Sequence, residues 1–242
     1  GNTVKVYTAT TAMQDPHRIE ARPSLIAQMR RANLVVCTGA ELEVGWLPLL
    51  QRESGNAVVQ SGRPGYFEAA RYVAMLDKPA RIDRSQGDVH AAGNPHIQTD
   101  PRNIARVGAA LAQRLAEIDP DNAAMYQARW KDFSARWEAA IARWQQQAVP
   151  LKGMPVVVQH KSFTYLINWL GLREVATLEP RPGIEPSVGY LAEVAAHLKT
   201  TPAKAVLRTT YQNPRASEWL SERVDIPAIA LPFTVGGAPG TD

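Results

Sequence analysis

Three of the five histidines in the sequence lie in loops beside predicted strands or helices, where their imidazoles could bind a metal ion. His17 follows the first predicted strand, His160 comes directly after the predicted strand 155–159, and His96 precedes a long helix. Neutral imidazole suits zinc, copper, nickel and iron better than calcium or magnesium. Three histidines with one oxygen ligand form a common tetrahedral zinc set. The three loops therefore form a candidate transition-metal site, although spacing along the chain does not show whether they meet.

Acidic residues close to these histidines in sequence are candidates for holding the rings in place. A metal-ligating histidine usually donates its second ring nitrogen to a carboxylate or a carbonyl, which fixes its tautomer and orientation. Asp15, Glu20 and Asp100 are the candidates for this role. Glu179 and Glu185 flank a Pro/Gly turn, and this pair is expected to be solvated or to cap a helix rather than to do acid–base chemistry.

Composition and motifs exclude several other classes of protein. The net charge is +4, but the basic residues are scattered, which indicates solvated surface charge and not a nucleic-acid surface. The single cysteine, Cys37, excludes a disulfide framework or a cysteine-based zinc site. The sequence lacks a Walker A lysine loop, a nucleophile elbow and a His-Glu-x-x-His motif, and the glycines at 236, 237 and 240 form only a weak phosphate-loop candidate. No apolar run approaches the ~20 residues that span a bilayer.

The first third of the chain is predicted to contain β-loop-α units, which imply a mainly parallel sheet. A strand is expected at 3–8, a helix opens at Pro23-Ser24, a buried strand follows at 34–37, and a helical patch lies at 47–50. Further short candidates lie at 58–60, 73–76 and 81–83.

A long helical segment occupies the middle of the chain. Asp100 is a good N-cap with Pro101 at the first helical position, and apolar residues then recur at helical spacing as far as Gln147. An aromatic stripe from Tyr126 to Trp144 is expected to be the buried face of this helix. A continuous helix from Asp100 to Gln147 would span ~70 Å, so it must lie along more than one lobe or bend near Pro120.

The last third repeats the β/α pattern. The predicted strands and helices alternate as βαβαβαβ, at 155–159, 163–170, 174–178, 188–198, 205–208, 216–224 and 226–231. This order predicts a parallel sheet with right-handed crossovers. In such sheets ligands bind beyond the carboxyl ends of the strands, which is where His160 falls.

Six motifs in order resemble those of a known family, the zinc and manganese solute-binding proteins of bacterial ABC importers, over nearly the whole chain. The motifs are Asp15-Pro16-His17 with Arg22-Pro23-Ser24, the segment 32–43, Asn94-Pro95-His96 with Thr99-Asp100-Pro101, the step 119–123, the segment 158–163, and Leu178-Glu179-Pro180 with Glu185-Pro186-Ser187. Each is weak alone, but together and in this order they identify the resemblance.

The resemblance implies an α/β fold of two lobes with mainly parallel sheets, linked by a long rigid helix. It places an N-terminal metal-binding lobe at 1–99, the linking helix at 100–149 and a C-terminal lobe at 150–242. Compared with the family, the sequence lacks the first strand and helix and the last helix, so both ends are expected to be processed, trimmed or incompletely ordered. No signal peptide is recognised in the sequence, and for such a chain this says little. Carried over by position, the metal ligands are His17, His96 and His160.

The fourth ligand is left open by a departure from the family. The family usually supplies a carboxylate after its last strand, but here the segment 231–237 has no acid, and Asp242 is the first to follow it. Asp242, Asp15, His90 and water are the candidates. A long histidine-rich loop, which favours zinc over manganese in the family, is also absent, but three imidazoles still favour zinc because manganese prefers more carboxylate oxygen.

The implied function is high-affinity binding of a transition metal, zinc before manganese, and its delivery to an ABC permease in the inner membrane. The protein is expected to be a monomer without enzymatic activity, in the periplasm or anchored by lipid at the cell surface. Two alternatives are a zinc-dependent hydrolase that uses the same histidines with a catalytic water, and a metal-binding adhesin of the same fold.

Overall fold

The computed structural model describes residues 3–79 and 90–238 of the chain. Helices and parallel sheets alternate in this part of the chain, so the predicted α/β class is confirmed. None of its helices is both long enough and apolar enough to cross a membrane. The elements are α1 Pro23–Arg30, β1 Val35–Cys37, α2 Leu47–Ser54, β2 Tyr66–Glu68, α3 Pro101–Ile118, α4 Ala123–Ala148, β3 Pro155–Val158, α5 Thr164–Leu170, β4 Arg173–Thr177, α6 Val188–His197, β5 Ala205–Thr209, α7 Arg215–Val224 and β6 Ala228–Leu231.

The N-terminal part is built on the parallel pair β1–β2, in which Val35 is paired with Tyr66. Helices α1 and α2 pack on this pair through a buried cluster that includes Leu25, Leu50 and Val59. The predicted strand at 34–37 and the helix at 47–50 are therefore confirmed. Trp46, directly before α2, donates its indole N–H to the carbonyl of Pro16 at 2.9 Å, and this bond ties the loop that carries His17 to the core.

Three short predicted elements do not form. Residues 3–8 are not a strand, because their backbone pairs with no strand in the described chain, and the side chain of Val6 is 81% exposed. Residues 57–59 form a 3-10 turn, which Asn56 caps by accepting the N–H of Val58. Residues 73–76 do not form a strand, and the backbone N–H of Leu76 donates to the hydroxyl of Tyr165 instead of to a neighbouring strand. The candidate at 81–83 lies outside the described residues.

The central segment forms two antiparallel helices and not one ~70 Å rod. Asp119 has φ −138° and ψ 71°, and Pro120 has no N–H to continue the hydrogen-bond ladder, so the chain reverses there. Trp137 of α4 donates to the carbonyl of Pro101 at the start of α3, while Trp130 packs on Gly108. The bend near Pro120 is thus a full reversal. Helix α4, with 26 residues and ~39 Å, is the long helix that leads into the C-terminal sheet.

The C-terminal sheet has the strand order β4-β3-β5-β6, and all neighbouring strands are parallel, as predicted. Side chains alternate between the two faces of each strand. Val157 and Val206 pack with α6 and α7 on one face, whereas Val158 and Leu207 pack with α5 on the other. The carboxyl ends of the four strands therefore meet at one edge.

Candidate metal centre

The structure brings together the three histidines predicted from sequence. One ring nitrogen from each of His17, His96 and His160 lies within 4.8 Å of the other two. Their ring centroids are 5.2 to 5.7 Å apart, with the planes nearly perpendicular in each pair. His17 comes from the N-terminal part, His160 follows β3 of the C-terminal sheet, and His96 precedes α3. Three segments that are distant in sequence thus converge on one point.

His17 is oriented by Asp15. The carboxylate Oδ1 of Asp15 accepts the backbone N–H of His17 at 3.0 Å and lies 2.7 Å from its ring Nδ1. Burial raises the pKa of Asp15, but the hydrogen bonds and charge of His17 outweigh it and hold the pKa below its usual value. Nε2 of His17 is buried and has no hydrogen-bond partner in the described chain. In the tautomer that donates Nδ1–H to this carboxylate, Nε2 is the atom that can bind a metal.

His160 is oriented by Glu179, which the sequence reasoning missed. Oε2 of Glu179 lies 2.7 Å from Nδ1 of His160 and also accepts the N–H of Gly183 at 2.7 Å. The expectation that Glu179 is solvated or caps a helix is therefore wrong, because only 15% of its side chain is exposed. Glu185 is exposed, as expected. The signal for Glu179 is its place two residues after β4, because the adjacent parallel strands β3 and β4 bring their carboxyl ends together.

His96 is the most buried of the three, with 1% exposure. Its Nε2 lies 3.1 Å from Nε2 of His160, and its ring stands 5.4 Å from the ring of Phe233, measured between centroids. Burial, followed by the nearby histidines, lowers the pKa of His96 well below its ordinary value, so the ring is neutral and able to bind a metal. Two Zn–N bonds of about 2.0–2.1 Å at a tetrahedral angle place the nitrogens about 3.3 Å apart. The His96–His160 spacing is close to this.

Two of the three acids suggested from sequence do not contact the histidine rings. Asp100 caps α3 by accepting the N–H of Arg102, and its carboxylate forms an ion pair with the guanidinium of the same residue at 2.7 Å. Glu20 is exposed on the surface. Asp100 is held by its own helix because an N-cap carboxylate is best satisfied by the first free N–H groups. Of the three acids, Asp15 is the one that contacts a histidine ring, as predicted.

The structure describes two of the residues that were candidates for the fourth metal ligand, His90 and Asp15. His90 stacks on His17 with ring centroids 5.5 Å apart, yet the described cluster of potential ligand atoms holds His17, His96 and His160 alone. Asp15 is bonded to Nδ1 of His17, and Asp242 lies outside the described residues. The loop after β6 brings Phe233, an apolar ring, against His96.

A cleft of about 200 Å³ opens beside His17 and His160. Its other walls are polar and come from both sides, as Asp15 and Arg18 face Glu185, Tyr211 and Gln212. Burial raises the pKa of Tyr211, so its phenol is protonated and can donate a hydrogen bond into the cleft. The histidine cluster is therefore closed by Phe233 on one side and open to a small polar space on another.

This fold and this site define a class of protein. It is an α/β protein with two parallel sheets, and a buried cluster of three histidines, of the kind that binds transition metals, lies where the two parts of the chain meet. The sequence matches the family described as zinc-uptake complex component A, periplasmic, over residues 1–241, and the chain belongs to that family. The resemblance drawn from the six motifs is thereby confirmed. The family consists of binding components of metal uptake systems, which are not enzymes, in agreement with the prediction.

Individual relatives are distant in sequence. The high-affinity zinc uptake system protein ZnuA of Bacillus subtilis is 21% identical over 214 residues, which cover 87% of this chain and 65% of that protein. The protein of the same name from Yersinia pestis is 25% identical over 195 residues, which cover 76% of this chain and 61% of that protein. The chain thus spans less than two thirds of the length of these two relatives.

A solved structure supports the fold. A crystal structure of ZnuA superposes with a TM-score of 0.79 at 24% sequence identity, covering 96% of this chain and 84% of that one. The predicted α/β fold with parallel sheets and a long helix is therefore confirmed.

Proposed function

We propose that this protein binds one transition-metal ion, zinc in preference to manganese, through His17, His96 and His160 and delivers it to an ABC permease. The observation that carries the proposal is the convergence of one nitrogen from each ring within 4.8 Å. Two of the three rings have a carboxylate at Nδ1, which leaves their Nε2 atoms free to bind the ion.

The choice of zinc rests on the chemistry of the donors. All three donor groups are imidazole nitrogens, which suit zinc, whereas manganese prefers carboxylate oxygen. The nearest carboxylates, Asp15 and Glu179, are bonded to the histidines themselves. We propose water from the adjacent cleft as the fourth ligand. The family usually supplies an acid after its last strand, but here the loop after β6 has no acid at 231–237 and brings Phe233 against His96.

We further propose that residues 1–99 and 150–242 act as two lobes and that residues 100–149 link them. In support, β1 and β2 belong to one sheet and β3 to β6 to the other, with α3 and α4 between them in sequence. We propose a periplasmic location, free or lipid-anchored, and an inner-membrane permease as partner. The family description, a periplasmic component of a zinc-uptake complex, supports the periplasmic location and the presence of other components. A monomer is the proposed state.

The two alternatives from the sequence are not favoured. A zinc hydrolase needs an acid or base beside the metal-bound water. Here the two carboxylates nearest the histidines serve to orient them. The family description names metal uptake, which favours transport over an adhesin.

Calorimetric titration of the metal-stripped protein with zinc, and separately with manganese, tests the proposal. We expect one zinc per chain, weaker manganese binding, and a loss of zinc binding in His96→Ala. His197→Ala is the matched control, because His197 is exposed at the end of α6 and is expected to bind zinc as the wild type does. Absence of zinc binding to the wild type would refute the proposed function.

A further inference from the structure

Asn94 lies two residues before His96 and is 7% exposed. Its side-chain Oδ1 accepts the backbone N–H of His96 at 3.0 Å. Its backbone N–H donates to the carbonyl of Leu76 at 2.8 Å. Asn94 is thus part of the loop that carries His96 and fixes the backbone of that histidine directly.

The other polar groups of Asn94 bind the segment that carries His160. Its side-chain Nδ2 donates to the carbonyl of Lys161 at 2.8 Å and to the hydroxyl of Thr164 at 3.0 Å. Its carbonyl accepts the hydroxyl of Tyr165 at 2.8 Å. Because Lys161 directly follows His160, one side chain holds the two histidine-bearing segments together.

The backbone around Asn94 has little freedom to adopt another arrangement. Gly93 has φ +112°, and a Cβ at that position would lie 2.6 Å from the carbonyl oxygen of Leu76, so glycine is required there. Pro95 restricts the residue before it to extended conformations. The two neighbours therefore restrict the backbone conformation of Asn94, and with it the direction of its Cα–Cβ bond.

We propose that Asn94 is the positioning residue that sets the spacing of the His96 and His160 ring nitrogens, and so the affinity of the site for zinc. The inference rests on the proposed function of the histidine cluster. The two Nε2 atoms are 3.1 Å apart, near the separation that a shared zinc ion requires. Without the Asn94 side chain the two segments lose the bonds to Lys161 and Thr164 and can shift relative to each other. A metal ion must then pull them into place.

Zinc affinity measured by competition with a chromophoric chelator tests this inference. Asn94→Ala is expected to weaken zinc binding about 10–100-fold, the usual effect of removing a group that orients a ligand. Asn94→Asp keeps the acceptor for the His96 N–H but loses the donors to Lys161 and Thr164, and it should lose affinity to a similar degree.

Asn103→Ala is the matched control. Asn103 is also a buried asparagine of this region, 3% exposed, and its Nδ2 donates to the carbonyl of Ile97, with no bond to the His160 segment. This variant should lower the melting temperature without a comparable loss of zinc affinity.

Cobalt(II) serves as the spectroscopic probe, because tetrahedral Co²⁺ absorbs strongly in the visible range and reports ligand geometry. The visible spectrum of the Co²⁺ complex should change in Asn94→Ala and remain as in the wild type in Asn103→Ala. A purely structural role for Asn94 would leave this spectrum unchanged.

Unaltered zinc affinity and an unaltered Co²⁺ spectrum in folded Asn94→Ala would overturn the inference, as would equal losses in Asn103→Ala or wild-type affinity in Asn94→Asp. If Asn94→Ala does not fold, Thr164→Val removes one of the two bridging acceptors and must itself weaken zinc binding several-fold. The wild-type titration separates the failure of this inference from the failure of the proposed function. If the wild type binds zinc and the variants have no effect, only the role of Asn94 is refuted. If the wild type does not bind zinc, the proposed function is refuted as well.

Discussion

At the scale of single residues, the site is a set of histidine–carboxylate pairs, Asp15 with His17 and Glu179 with His160. All three histidines and Asp15 could be predicted from their places in the loops. Glu179 could not, because its contact with His160 depends on which strands are neighbours in the sheet, and chain order alone does not show that β3 and β4 pair. Asp100 was predicted to orient a histidine because it is close to His96 in sequence, but its carboxylate caps its own helix.

Replacement of Glu179 by glutamine should weaken zinc binding about 10–100-fold, because the neutral amide supports the Nδ1 proton of His160 less well than the carboxylate does. Competition with a chromophoric chelator measures the change. Glu185→Gln is the control, since Glu185 lines the same cleft but is exposed and bonds to none of the three rings in the described chain. Equal losses in the two variants would show that the charge of the cleft, and not the pairing with His160, is responsible.

The buried neutral His96 should make the metal-free protein less stable in acid. Its pKa in the folded chain lies well below the ordinary value of 6.5, mainly because of burial, so below about pH 6.5 the unfolded chain binds a proton that the folded chain does not. The free energy of unfolding should therefore fall as the pH drops below 6.5, by up to about 1.4 kcal/mol per pH unit, until the folded ring is protonated too. Urea unfolding at pH 7.5 and 5.5 measures this, and His96→Gln should show a smaller loss. An identical pH dependence in both proteins would contradict the account.

At the scale of elements, the predictions hold where the sequence pattern and the tertiary contacts favour the same structure. The strands β3 and β5 place buried apolar residues on both faces of the sheet. All four strands from β3 to β6 are confirmed, with shifts of one or two residues. Residues 3–8 have the alternation of a strand, but a strand also needs a neighbour that accepts its hydrogen bonds. The helical pattern from Asp100 to Gln147 is confirmed in α3 and α4, yet it does not show that the chain leaves the helix and reverses at Asp119 and Pro120.

Gly108→Ala tests the antiparallel packing of α3 and α4. In an isolated long helix alanine would be more stable than glycine by about 1 kcal/mol. In the observed packing an added Cβ would lie 2.6 Å from Cζ3 of Trp130, so we expect a net loss of about 1–3 kcal/mol in the free energy of unfolding, measured in urea.

Gly189→Ala in α6 is the control for helix propensity, because the nearest atom to its added Cβ is Oγ of Ser187 at 3.9 Å. This change should be neutral or slightly stabilising. A stabilising Gly108→Ala would mean that α4 does not pack on α3 at this position.

At the scale of the whole molecule, the histidine cluster joins parts of the chain that have separate sheets. These parts also share a buried cluster that includes Phe67 of β2, Ile97 and Tyr165 of α5. The arrangement could be inferred in advance only from the ordered motifs, since the spacing of His17, His96 and His160 does not show that they meet. A metal ion that binds all three must hold these parts together, so the binding free energy is added to the stability of the whole fold.

Zinc should therefore raise the melting temperature of the metal-stripped protein, and a chelator should reverse the effect. At a free zinc concentration 100 times the Kd the added stability is about 2.7 kcal/mol. His17→Ala and His160→Ala remove one donor from each side and should both abolish the shift, as followed by differential scanning calorimetry. A shift that persists in one of the two would place the metal on one side alone.

The most direct test of the central claim is the zinc K-edge X-ray absorption spectrum of the one-to-one complex. A zinc ion bound by His17, His96 and His160 should show nitrogen and oxygen donors at about 2.0–2.1 Å, with scattering from three imidazole rings and one oxygen, and the loss of one imidazole in His160→Ala. Fewer than three imidazoles in the wild type, or a spectrum that His160→Ala leaves unchanged, would contradict it.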